Sequence, residues 1–142
     1  MANNLKHENL TRDAIATAVR GDIQTGAGTQ VTIDFFTQTV DAQTGAGFLS
    51  IDLGSTPFGT AAITTQSFTY GGTATGTKTG AGTASANSFA IYDRATTPVK
   101  VLRGTAGPTT GTPSFDVEIA GGNSIKQNEK ISLTSFTYTA SV

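Results

Sequence analysis

Cysteine is absent from this chain, which excludes disulfides, zinc–thiolate and iron–sulfur sites and thiol nucleophiles. Tryptophan is absent as well, and the single histidine, His7, lies in a polar N-terminal stretch away from any expected rigid element. A serine triad or an imidazole-based metal site would have to be built on that one residue. Charge is scarce, at 13% of residues where ordinary soluble domains have about 25%. With 9 Lys plus Arg against 10 Asp plus Glu there is no basic excess to displace phosphate counterions, so nucleic acid is not an expected partner. Apolar runs are as short as Phe35-Phe36 and Phe48-Leu49, far below the roughly 20 residues of a membrane-crossing helix. Residues 1–13 lack the apolar centre of a secretory signal, so no membrane or export segment is expected.

What is present points to one all-β domain. The 142 residues suit a single core, and 37% of them are hydrophobic, enough to fill it. A formal charge of −1 gives no self-repulsion to keep the chain expanded. Residues 1–10 read as a polar arm. Thr11, Arg12 and Asp13 then make a helix start, and Leu10, Ala14, Ile15, Ala18 and Val19 recur on one helical face until Gly21 supplies a stop. A helix over residues 11–20 is too short to stand alone in water, so its apolar stripe must rest on this body or on a neighbour.

From residue 29 the period falls to two. Val31, Ile33 and Phe35 alternate with Thr32, Asp34 and Phe36, and Leu49, Ile51 and Leu53 alternate with Ser50 and Asp52. Further strands are expected over residues 61–70, 82–93, 98–104, 115–119 and 129–140. In the last of these the phase slips between Leu133 and Phe136, which predicts a bulge at Thr134 or Ser135. Thr-Gly-Ala-Gly occurs at 25–28, 44–47 and 79–82; the unequal spacing and unmatched flanks fit one permissive turn used three times rather than a repeat array. Segment 71–82 has almost nothing to bury and reads as an edge strand or exposed loop, with Lys78 as the charge that discourages unwanted pairing. The expected fold is an antiparallel β-sandwich or jelly roll of roughly seven to eight strands, residues 29–142, preceded by an arm and one short helix, residues 1–28.

Catalytic patterns are thin. Gly71 to Thr79 imitates a phosphate loop, but Thr77 stands where glycine precedes the lysine and no helix follows to hold the anion. Asp116 and Glu118 share one strand face at about 7 Å, a separation suited to an inverting glycosidase and equally to any wet strand face. Asp34, Asp41, Asp52 and Asp93 are scattered without a compact oxygen-ligand loop. No catalytic residue, cofactor or metal site is assigned. Arg20-Gly21-Asp22 is explained by the helix stop, and Asn9-Leu10-Thr11 is a glycosylation acceptor only in a secreted eukaryotic chain.

What remains is surface. Phe36, Tyr70 and Tyr92 fall on or near faces their strands otherwise leave polar, and Leu5, Lys6 and Leu10 lie in or beside the arm. With the helix stripe residues Ile15 and Val19 they form a candidate partner interface, as in a subunit that completes itself against neighbours.

The polar start Met1–Lys6 (MANNLK), the helix through Asp13–Val19, the Gly/Thr-rich body with Ser88–Asp93 (SFAIYD) and the closing Ile131–Ala140 (ISLTSFTYTA) together resemble the capsid decoration, or cement, proteins of tailed bacteriophages. The likeness spans nearly the whole chain and rests on texture more than on a diagnostic motif. It implies a non-enzymatic jelly roll or β-barrel, made in the bacterial cytoplasm. Such a protein sits on the outer capsid as a dimer or trimer and bridges neighbouring major-capsid subunits. A second expectation, from another class, is a glycan-binding or receptor-binding module of a tail fibre or other appendage, with Tyr70, Tyr92 or Phe36 as stacking platforms. A glycosidase using Asp116 and Glu118 ranks third.

Overall fold

A computed structural model describes residues 9–61, 66–109 and 116–140. Leu5 and Lys6 lie outside them, as do Ile63 and Phe115. The chain runs α1 (Asn9–Gln24), β1 (Val31–Phe36), a 3-10 turn (Val40–Ala42), β2 (Leu49–Gly54), β3 (Ser67–Tyr70), β4 (Ala74–Thr77), β5 (Thr83–Ser85), β6 (Ser88–Tyr92), β7 (Lys100–Pro108), β8 (Val117–Ile119), β9 (Ser124–Lys126), β10 (Lys130–Leu133) and β11 (Phe136–Thr139). Among the described residues it is mostly β with one α-helix. A curled five-stranded sheet has the order β2-β1-β6-β7-β8, antiparallel except for β7 with β8; β10-β4, β11-β3 and β5-β9 form three two-stranded ladders.

The alternation in β1 and β2 is realised: Val31, Ile33, Phe35, Leu49, Ile51 and Leu53 all enter one hydrophobic core, which also takes residues from α1, β3, β9, β10 and β11. Aromatic rings tie its parts together. Phe136 lies edge-on to Phe89 at 5.8 Å and tilted against Phe58 at 6.1 Å, and Phe58 meets Phe68 at 5.0 Å. Ring pairs of this kind contribute about 0.5–1.5 kcal/mol each beyond the area they bury.

The helix differs from expectation at both ends. It starts before Thr11 and passes through Gly21 to Gln24. The reason is Ile23, which is fully buried: burying that side chain contributes about 1.5–3 kcal/mol, more than the roughly 1 kcal/mol a helical glycine costs. Ala16 is fully buried on the same face, with Ile15 and Val19 packed beside it. Arg12 donates to the Ala140 carbonyl from Nε (3.2 Å) and Nη2 (2.9 Å), and the Phe58 amide donates to Gln24 Oε1 (2.7 Å). The helix therefore rests on its own body through Ile15, Ala16, Val19 and Ile23, a face rotated from the expected stripe, of which Leu10, Ala14 and Ala18 are exposed; Arg20-Gly21-Asp22 is helical.

The phase slip at Thr134–Ser135 is a change of partner, where the chain leaves the ladder with β4 and joins the ladder with β3. Segment 71–82 contains β4, which pairs with β10 and packs on β2. Lys78 is not an edge charge: it is buried, and its ammonium donates to the carbonyls of Gly80, Ala81 and Gly82, so the turn folds back over its own lysine. The three Thr-Gly-Ala-Gly turns differ in shape. Positive φ falls on the first glycine at Gly26 and Gly45 but on the second at Gly82, which agrees with reuse of a permissive sequence rather than a structural repeat.

Two glycines give opposite expectations. A methyl at Gly21 would meet nothing, so Gly21→Ala should stabilise by about 0.5–1 kcal/mol through helix propensity. A methyl at Gly76 would sit 2.6 Å from the Ser50 carbonyl oxygen, so Gly76→Ala should destabilise by about 1–3 kcal/mol through overpacking of β4 on β2. Denaturant midpoints of the two variants should move in opposite directions from the parent's.

Candidate functional site, a groove between two strand edges

Strand β8 ends the five-stranded sheet, and β10 and β11 are each paired on one side only; among the described residues no strand pairs with the far edge of any of the three. These edges face one another across a groove of three adjoining hollows. The first, about 350 Å³, has core residues Phe35 and Ile51 at its floor and β8 and β10 as walls. The second, about 410 Å³, shares Leu133 and Thr134 with the first and continues along Asp116 to Phe136. The third, about 280 Å³, shares Phe136 and Thr137 and ends at Arg103 and Thr139. An extended segment laid here would find main-chain donors and acceptors on its walls and apolar side chains below.

Asp116 and Glu118 both border this groove, but they do not act as a free pair. Asp116 Oδ2 accepts from the Thr105 amide and the Thr105 hydroxyl, both at 2.8 Å, which stitches the approach to β8 onto β7.

The residues singled out as interface candidates separate. Leu10 is 68% exposed, on the outer side of the helix, whereas Ile15 and Val19 are packed against the core. Phe36 and Tyr70, against expectation, are both buried, so neither is a stacking platform. Tyr70 lies edge-on to Phe58 and over Gly72, and burial, then the Asp52 charge, pushes its hydroxyl up. Phe36 is roofed by the segment between β1 and β2. Gln43 reaches under that roof, donating to Ser88 Oγ (2.8 Å) and the Phe89 carbonyl (3.0 Å), while Lys100 Nζ sits 4.5 Å from the Phe36 ring centre. Tyr92 alone of the three aromatics stays half-exposed, with Lys100 Nζ 5.9 Å from its ring centre.

Beside Tyr92 lies Asp34. Burial pushes its carboxyl up from the ordinary aspartate value, against the smaller opposing pull of the Ser50 hydroxyl, the Gly47 amide and the Lys100 charge. Its Oδ1 is buried without a hydrogen-bond partner among the described residues. Burial, and secondarily the Asp34 charge, raises the Tyr92 hydroxyl.

Neither the groove nor this polar cluster could be read from the sequence, because both depend on which strands end up side by side. Asp34 and Ser50 are opposite each other only through the β1–β2 register. Among the described residues no helix is long and apolar enough to cross a membrane. No family model, curated protein or solved structure matches the chain.

A carboxyl raised on folding binds its proton more tightly in the native state, so the ionised form weighs against folding above the raised value, and the penalty fades as pH falls toward the ordinary aspartate value. Asp34→Asn removes this linkage. The stability difference between parent and variant should move in the parent's favour as pH falls through that window and stay flat above it, as read by urea unfolding at stepped pH.

Proposed function

We propose that this chain is a non-enzymatic structural subunit of a virion, attached to the outer capsid surface, where it bridges neighbouring major-capsid subunits and associates with its own copies as a dimer or trimer. The observation that carries the reading is the groove, whose facing strand edges and apolar floor suit an extended segment from a neighbouring shell subunit. The resemblance in texture to phage decoration proteins supplies the setting. Many modest contacts of this kind, repeated by symmetry, hold a shell through effective concentration rather than through one tight joint. The same proposal takes the body to be a sandwich or jelly roll, with the five-stranded sheet and the small ladders as layers over one core.

The helix enters this reading in a different role from the one expected of it. Its Ile15, Ala16, Val19 and Ile23 are engaged with the body, so on that side the proposal keeps the exposed Leu10, together with Leu5 and Lys6 of the preceding segment. Removing residues 1–20 would take Ala16 itself out of the core, with Ile15 and Val19 that pack on it, so a truncation that tests this surface should stop at residue 8.

Purified protein added to expanded, undecorated capsids should saturate at a copy number related to the shell symmetry, counted by cryo-electron microscopy. Thr134, exposed and shared by the first two hollows, is the position to obstruct. Thr134→Trp should weaken shell binding by about tenfold or more, the effect of losing one good contact, with an unchanged circular dichroism spectrum. Sporadic attachment of the parent, or full binding by the variant, overturns the proposal.

A further inference from the structure

On the face of the sheet away from the core, a shallow hollow of about 370 Å³ is lined by Thr32, Asp34, Ser50, Tyr92 and Pro98 with the Gly45-Ala46 backbone. A second hollow of about 370 Å³ shares Thr32 and Pro98 with it and continues past Thr29, Gln30 and Thr96. Each lies at the lower end of the roughly 300–1,000 Å³ range of small-ligand sites. We infer that this double hollow binds a neutral oligosaccharide, with Tyr92 and Pro98 as the apolar platform under a sugar ring and Asp34, Ser50 and Thr32 as hydrogen-bonding partners of its hydroxyls.

The chemistry selects the ligand. An apolar ligand would leave the Asp34 carboxylate buried against hydrocarbon, at the cost of an unsatisfied charge. A phosphate or other anion would meet that carboxylate directly. A metal cation would need several more oxygen ligands than this one carboxylate offers, and Lys100, which acts on Asp34 electrostatically, already supplies positive charge nearby. A nearly neutral site with one strong acceptor, several hydroxyls and amides, and a half-exposed aromatic ring suits a molecule with C–H faces and O–H edges. Asp34 Oδ1, buried and without a hydrogen-bond partner among the described residues, is the acceptor that lacks a donor. The carboxyl turns about a broad, soft torsion, so a small rotation presents that oxygen to a sugar hydroxyl. The groove between β8, β10 and β11 shares no lining residue with these hollows, so this inference stands apart from the shell-binding proposal.

The test is a nuclear magnetic resonance titration of the full chain with glucose, galactose, mannose and N-acetylglucosamine disaccharides. At least one should bind with a dissociation constant of about a millimolar and shift amides of Thr32, Gly45, Ala46, Ser50 and Tyr92. Tyr92→Ala should weaken that binding by about tenfold or more, Tyr92→Phe should retain it because the ring face is kept, and Asp34→Asn should reduce it. If Tyr92→Ala fails to fold, Ser50→Tyr, which fills the hollow from an exposed position, is expected to abolish binding instead. The inference is overturned if no disaccharide produces clustered shifts there, if shifts appear only with calcium, or if a folded Tyr92→Ala binds as the parent does. None of these outcomes alters capsid attachment, which is read separately.

Discussion

Ser88, Phe89, Ala90 and Ile91 are consecutive in β6 and all buried, so the centre of the five-stranded sheet must be covered on both faces. The rest of the arrangement answers that constraint. On one face the helix and the paired ladders bring Ile23, Phe58, Phe136 and Leu133 into the core. On the other, the segment between β1 and β2 closes over Phe36, and Gln43 occupies the polar groups its closure would otherwise bury, Ser88 Oγ and the Phe89 carbonyl. Leaving those two groups unpaired as well would cost about 1–3 kcal/mol each, on top of Gln43 Oε1, which is buried there without a partner among the described residues.

The cover is complete at the centre and thin at the edges, and both candidate sites lie where it thins. Beyond β7 the short β8 has no outer partner among the described residues, and the groove beside it reaches down to Phe35 and Ile51. Beside the roof, Asp34 and Tyr92 share a face with Phe36 but escape its lid, which leaves a carboxyl part-buried next to an accessible ring. Shape complementarity in the first and polarity in the second give the two places different chemistry.

Much of the strand pattern was legible because β2, and β1 as far as Phe35, bury alternate residues and show it as a period of two. The burial of Phe36 and Tyr70 escapes the pattern for a physical reason. Phe36 and Tyr70 are off the core phase or near polar neighbours, and alternation alone cannot tell a solvent-facing position from one that a distant segment covers. Gly21 was read by its local preference, and a tertiary demand, the burial of Ile23, overrode it. The slip between Leu133 and Phe136 was visible in the sequence, but its meaning was not, since a bulge and a change of partner strand leave the same trace in one chain. Lys78 followed the same logic: a lone charge in a glycine-rich run suggests water, and the cradle that accepts it is made by carbonyls, which composition does not reveal. The groove is the extreme case, for no local signal marks two edges that meet only after the whole chain has folded.

The cradle around Lys78 also governs how the molecule can be labelled. Reagents that couple to amines require an approachable nitrogen, and Lys78 is only 3% exposed, with its ammonium enclosed by Gly80, Ala81 and Gly82. Lys126 and Lys130 are exposed, and Lys130 stands at the rim of the first hollow. A lysine-directed cross-linker or dye would thus pass over the glycine-rich turn but reach Lys130, making conjugation at that one position a local reporter of whatever occupies the first hollow.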